Sequence, residues 1–486
     1  VSHITKEYED GSKSVVVTEI EPVRNMKWQT EVKLYPERLY LETTCRLYSI
    51  ADHPMQFASS LNGAMHTSDE LEVILPEGTH YTGHGKNTMW EWPLFKGVDY
   101  RWLKNIQRTF SIFLEGEGLR QDYWGCYSHD EDIDAGTVII ADHRFTPGKK
   151  YFTWGYHDKG RIWDTLLSDN DGGYIELQQQ AFWDNLGYGH AWLDPLEVKE
   201  FTVYWYPIKN MGGFVKANKD IALNIEDKEN GQVYIAAQAT KPMKNAMIVV
   251  KANEDIIYEK STDLSLTEPY TDQFKINGNH AYEDLKVAIT DKNNEHVISY
   301  VTRDKSFEAP PLPKKPEDPK EMTMDELFQK GKSFYQDPFN PESEKYFMEM
   351  LGRDSLHSKA NRAMGLIYYF RGQYDKSRKY YQASLVNDHL NDGYKAYYYL
   401  GLMAMKQGRL DEAKDHLAVT GRHKDFRVLS SFYLGNIAIM EKDYQEAVSL
   451  FDEAIRFGGI HPDIFVNKAI ALRKSGRKEK AGLAIK

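Results

Sequence analysis

At 486 residues the chain exceeds what one hydrophobic core usually serves, so two to four domains are expected. Its 41% hydrophobic and 27% charged content is ordinary for a globular protein, and no run of about 18 apolar residues occurs, which excludes a helical membrane span. The formal net charge of −11 argues against nucleic acid as a partner.

Two cysteines, Cys45 and Cys126, give neither a disulfide framework nor a metal spacing and read as buried thiols. No metal and no cofactor is implied by any ligand spacing. The chain opens on Val1, already in the middle of a sheet-like pattern, with no targeting segment in view. Free cysteines and the lack of a visible signal favour the cytoplasm, without fixing the compartment. Aromatics are abundant, with 32 Tyr and 10 Trp, and their flat faces with polar edges suit sugar stacking as well as a β core.

From Val1 to about Ile208 the pattern is strand after strand, in period-two or β-branched runs such as 13–19, 28–35, 39–50, 71–75, 109–114, 137–141, 151–154 and 200–206. No helical period interrupts them. The expectation is a large antiparallel β-sandwich or barrel over 1–208. A second β region, 209–303, holds about six short strands with Asn230-Gly231 as a turn signal, and fits a small immunoglobulin-like sandwich. Residues 304–321 form a Pro-rich linker: Pro310, Pro311, Pro313, Pro316 and Pro319 favour extended polyproline geometry.

Beyond it, over 322–486, the period becomes helical. Gly331, Gly365, Gly401, Gly435 and Ala469 recur at spacings of 34, 36, 34 and 34, and twelve residues past them stand Ser343, Ser377, Ala413, Ala447 and Ala481. Small residues at both places are what two packed helices need. The segments resemble tetratricopeptide repeats, which implies a helical solenoid and a protein or peptide partner in its groove, with Tyr368, Tyr369, Tyr397 and Tyr398 near the helices that line it. This region carries 26 Lys and Arg against 21 Asp and Glu, leaving 35 against 51 for residues 1–321. The acidic half is the β half.

Candidate chemistry concentrates in 151–208, where a loop rich in Asp, Asn and Gly lies between patterned strands. Glu176 is the residue that most needs a reason, because a carboxylate inside a strand is disfavoured on a buried face. Tyr174, Glu176 and Gln178 share one strand face, expected to be open to solvent. Around it, Asp164, Asp158, Asp184, His129, His143 and His157 are candidate acid or base groups, and Trp163, Trp183, Trp90 and Trp92 candidate stacking faces. Each alone is weak, since a lone histidine in a β protein is more often a hydrogen-bonded structural group.

The order Gly173-Tyr-Ile-Glu176-Leu-Gln178, followed by Phe182-Trp-Asp184-Asn185, is similar to the pocket-lining segment of galactose mutarotases. With TPGKKYFTWG, GRIWDTLLSDNDGGYIEL and the WYPI ending, residues 90–208 resemble more closely a bacterial family of uncharacterised domains on the same scaffold, often fused to tetratricopeptide repeats. YSH at 127–129 and ADHR at 141–144 fall where that family carries histidine. The resemblance implies a galactose mutarotase-like β-supersandwich, N-terminally incomplete, and a sugar pocket with Glu176, Asp164, His129 and His143 in catalytic roles. Trp163, Gln178, Asp184, Asn185, Trp90 and Trp92 would bind the sugar. Gly173 and Leu186 depart from the family pattern. Two function classes follow: a carbohydrate-binding protein with glycoside-hydrolase or epimerase chemistry on Glu176, or a glycan-sensing scaffold without chemistry whose repeats hold another protein.

Overall fold

Period-two sequence in the first two hundred residues becomes two stacked antiparallel sheets. The computed structural model describes residues 2–21, 26–83, 89–168, 173–181, 191–276, 280–302, 318–333, 341–388 and 393–484. An eight-stranded sheet runs in the order Ser2–Glu7, Lys13–Glu21, Met26–Leu34, Leu41–Ser49, Val198–Lys209, Ala135–Ala141, Tyr123–Ser128 and Leu71–Ile74. Against it lies a six-stranded sheet: Ser60–Thr67, Gly173–Gln180, Gly148–Thr153, Phe110–Gly116, Thr79–Gly83 and Met89–Glu91. Alternation sends Ile112, Leu114, Tyr151, Ile175 and Leu177 of one sheet and Val73, Trp124, Ile139 and Val203 of the other into a shared core. A Cβ on Gly63 would lie 2.6 Å from the Trp205 ring, so glycine there lets the facing sheet close down. Both thiols are buried, as expected.

One stretch departs from the sequence reading. Asp158–Ser168, expected to be loop, is an α-helix of 11 residues. Ile162, Trp163, Leu166 and Leu167 recur at helical spacing, and the Asp, Asn and Gly that signalled a loop stand after it, at 169–172, outside the described residues. Gly160 sits where a Cβ would meet the Gly155 carbonyl at 2.2 Å, which seats the first turn of the helix on the segment that follows the preceding strand.

The next module packs two four-stranded sheets face to face: Lys216–Ala217, Ile221–Asp227, Gln232–Ala239 and Tyr270–Lys275 against Asp255–Leu264, Met243–Ala252, Leu285–Thr290 and His296–Val301. It is fused to the eight-stranded sheet. Tyr123, Tyr127, Tyr206 and Ile208 share an apolar cluster with Met211, Phe214, Ala222 and Ala236. The Tyr127 hydroxyl accepts the backbone N–H of Met211 at 3.0 Å and donates to the Asp134 carboxylate at 2.5 Å.

Residues 303–317, most of the Pro-rich linker, lie outside the described residues. Where the chain resumes, the Arg353 guanidinium donates to the carbonyls of Pro319 at 2.8 Å and Met322 at 2.7 Å. Among the described residues, ten helices between Met324 and Leu483 then stack as successive pairs. The small-residue positions explain the pairing. A Cβ on Gly331, Gly365, Gly401 or Gly435 would approach Phe347, Tyr381, Leu417 or Phe451, each sixteen residues later, to 2.8–3.0 Å. The Ser343 hydroxyl caps the Gly331 carbonyl at 2.9 Å and Ser377 that of Gly365 at 2.7 Å. No helix among the described residues is long and apolar enough to cross a membrane.

Candidate functional site

Strand register builds the outer face of the six-stranded sheet. Glu176 pairs with Phe152 on one side and Ala64 on the other, Gln178 with Lys150 and Asn62, and Tyr174 with His66. Ser111 and Phe113 extend the same face through the next strand. Ile175 and Leu177 point inward and are fully buried, whereas Tyr174, Glu176 and Gln178 are half-buried.

The carboxylate is held from its own strand. Tyr174 Oη donates to Glu176 Oε1 at 2.8 Å and Gln178 Nε2 to Oε2 at 2.6 Å. Burial and the adjacent carboxylate push the Tyr174 hydroxyl up to about 12, so it stays a donor. Lys150 lies in the field of Glu176 and in cation–π contact with Phe113 at 5.6 Å and Phe152 at 5.8 Å, while burial lowers its pKa.

Beside this strip the helix Asp158–Ser168 brings two expected residues. Trp163 stacks on Trp154 at 4.4 Å and 13°, and Trp154 meets Phe152 edge-on at 5.0 Å. Burial raises the Asp164 carboxyl, opposed by Arg161, 3.8 Å away, and by the backbone N–H of Tyr174. Asp164 and Glu176 thus contact opposite ends of Tyr174, its backbone N–H and its Oη.

The remaining candidates lie elsewhere. His129 and His143 follow strands of the eight-stranded sheet, whose inner face is the core that separates them from Glu176. His129 Nε2 lies 3.0 Å from Glu72 Oε2, and its ring is 5.3 Å from that of Trp102. His129 and Trp92 line a cleft of about 820 Å³ between the first two modules, together with Glu72, Arg101 and Tyr300. His143 Nδ1 is 2.7 Å from Asp122 Oδ1. Asp122, Asp142 and His143 offer ligand atoms within 4.8 Å of one another, but Arg144 already engages both oxygens of Asp142, at 2.9 and 2.5 Å. Trp90 packs on Tyr81 at 5.6 Å and Phe95 at 5.2 Å over the core. His157 accepts the Gly160 N–H at 3.2 Å, a turn-forming role, and Asp158 stands in the first turn of its helix. Trp183, Asp184 and Asn185 fall outside the described residues.

Lys150, Phe152 and His66 were not among the expected site residues. Alternation in GKKYFT would have placed Lys150 and Phe152 together on one face, but His66 needs the pairing of two strands more than a hundred residues apart.

Residues 1–208 match the family model of a domain of unknown function (DUF5107), 216–300 that of the second domain of YphG-like proteins, and 362–419 a tetratricopeptide repeat. The chain joins an uncharacterised domain to tetratricopeptide repeats. Among solved structures it is similar to a TPR-domain containing protein from Parabacteroides distasonis at 16% identity, over 97% of this chain and 75% of that one, with a TM-score of 0.39. A candidate aldose 1-epimerase from Escherichia coli K12 aligns at 11% identity over 43% of this chain and 69% of that one, with a TM-score of 0.32. The Slr1438 protein from Synechocystis sp. PCC 6803 gives 11% identity, 43% and 66% coverage and a TM-score of 0.33.

Proposed function

We propose that the β part of this protein binds carbohydrate on the outer face of the six-stranded sheet, and that its repeats engage a protein. The observation that supports the first reading is the Glu176 carboxylate fixed between Tyr174 and Gln178 on a half-exposed face, with Lys150 across the strand and the Phe152–Trp154–Trp163 aromatics alongside. Sugars need acceptors and donors for hydroxyls, set next to a flat apolar surface. That surface offers both.

Binding is favoured over turnover because both oxygens of Glu176 are engaged by its own strand and the histidines expected as its acid or base partners stand in the other sheet. Titration calorimetry of the full chain against mono- and oligosaccharides is the test. Glu176→Gln is expected to weaken binding roughly ten-fold or more, the scale of a lost charge-assisted hydrogen bond, with Tm nearly unchanged. Equal affinity in both proteins, or no sugar bound by the unmodified chain, overturns the reading. Sugar turnover that disappears in Glu176→Gln would establish catalysis instead.

A further inference from the structure

The four tyrosines expected along the solenoid groove have different fates. Tyr368 donates to Glu344 at 2.8 Å and stacks on Tyr380, and Tyr397 lies against His416 at 5.8 Å. Tyr369 and Tyr398 reach out of the repeats to one loop of the first module. Tyr369 Oη donates to Asp52 Oδ2 at 2.7 Å, Tyr398 Oη to the Asp52 carbonyl at 3.0 Å, and Lys406 Nζ to the same carboxylate oxygen at 2.6 Å.

The neighbours of Asp52 complete the contact. The His53 ring meets Phe370 edge-on at 4.4 Å, and Tyr48 meets His461 at 6.2 Å. These partners come from Ser358–Phe370, from Gly393–Lys406 and from the cap of Pro462–Lys474, the first helices of their pairs. First helices line the groove of such a solenoid. Burial alone would raise the Asp52 carboxyl, but donors from His53, Lys406 and Tyr369 outweigh it and hold the group well below the usual carboxylate range. The charge balance has the same sign, since residues 1–321 carry an acidic excess and the repeats a basic one.

We infer that residues 48–54 are a tethered ligand of the repeat groove, and that the protein partner this groove fits presents a carboxylate flanked by an aromatic or imidazole ring, gaining access by displacing Asp52. The inference rests on the reading that the repeats bind a protein. A segment tethered in the same chain acts at an effective concentration of order millimolar, so a competitor added in trans binds more weakly by the fraction of grooves left open. Removing the tethered carboxylate removes that handicap.

The probe is a fluorescein-labelled peptide of residues 46–56, followed by anisotropy on the full chain. Asp52→Ala is expected to bind it roughly ten-fold or more tighter than the unmodified protein, and adding Lys406→Ala is expected to cancel the gain. Equal affinity for the unmodified chain and a folded Asp52→Ala variant overturns the inference. Hydrogen exchange on the unmodified chain gives a measurement that needs no variant: the amides of residues 50–53, which follow the strand Leu41–Ser49 and precede Pro54, should be protected and lose protection at saturating peptide. A loop that exchanges freely refutes the tethered ligand alone. A loop released in Asp52→Ala with no peptide bound refutes the protein-binding reading of the groove as well.

Discussion

Lys149 and Lys150 are neighbours with opposite surroundings, and each reports on its side of the sheet. Lys149 points inward, is 1% exposed, and donates to the Gln121 carbonyl at 2.8 Å and the Leu119 carbonyl at 3.5 Å. Burial lowers its pKa to about 8, against roughly 10.4 in an unfolded chain. Between those values the unfolded chain holds more protons, so this lysine makes stability rise with pH through that window; below pH 8 its full cost is present. Lys149→Met is expected to stabilise the protein by about 1–3 kcal/mol at pH 7, with the gain shrinking as pH rises toward 10, measured by urea unfolding. A gain independent of pH would mean that the lysine unfolds without a change of protonation. On the outward side, Lys150→Ala removes the cation across from Gln178 and is expected to weaken sugar binding with little change in Tm. Unchanged affinity would remove Lys150 from the proposed binding surface.

The repeats test packing at the scale of an element. Gly435 and Gly352 both sit in helices, yet a Cβ on Gly435 would approach the buried Phe451 ring to 2.8 Å while one on Gly352 meets nothing within 4 Å. Gly352→Ala is expected to stabilise by up to about 1 kcal/mol through helix propensity. Gly435→Ala is expected to destabilise by about 1–3 kcal/mol despite the same propensity gain, and equal effects would show that the ring yields. This glycine ladder was legible in the sequence because a repeat prints its packing rule four times, at Gly331, Gly365, Gly401 and Gly435. The strand face of Tyr174, Glu176 and Gln178 was legible for a similar reason, since alternation alone decides which residues share a side. What surrounds Glu176 was not. His66 arrives through pairing with a distant strand, the Trp154–Trp163 stack depends on a helix hidden by the Asp and Asn that follow it, and the separation of His129 and His143 from Glu176 is a property of two sheets rather than of spacing.

For the whole molecule, a Pro-rich linker reads as a joint between independent bodies, yet the contacts cross it. The Asp52 cluster docks the repeats on the first module, and the Tyr127 hydroxyl with its apolar surroundings fuses the first module to the second. Calorimetry is therefore expected to show the two β modules melting together, and Asp52→Ala is expected to lower the transition of the repeats by a few degrees. Superimposable traces would mean that the Asp52 contact contributes no net stability. Because the Asp52 carboxyl is held below its unfolded pKa, the docking it supports is present at neutral pH and is lost only as pH falls beneath the ordinary carboxylate range.

The partners that meet at Asp52 are 317, 346 and 354 residues apart along the chain. During synthesis the first two modules leave the ribosome before Tyr369 is made, and each repeat pair closes on local contacts. The seam at Asp52 therefore forms last, after both surfaces exist. A contact absent from the rate-limiting step changes how fast a structure opens and not how fast it forms. Stopped-flow fluorescence should accordingly find Asp52→Ala repeats unfolding faster while refolding at the rate of the parent chain.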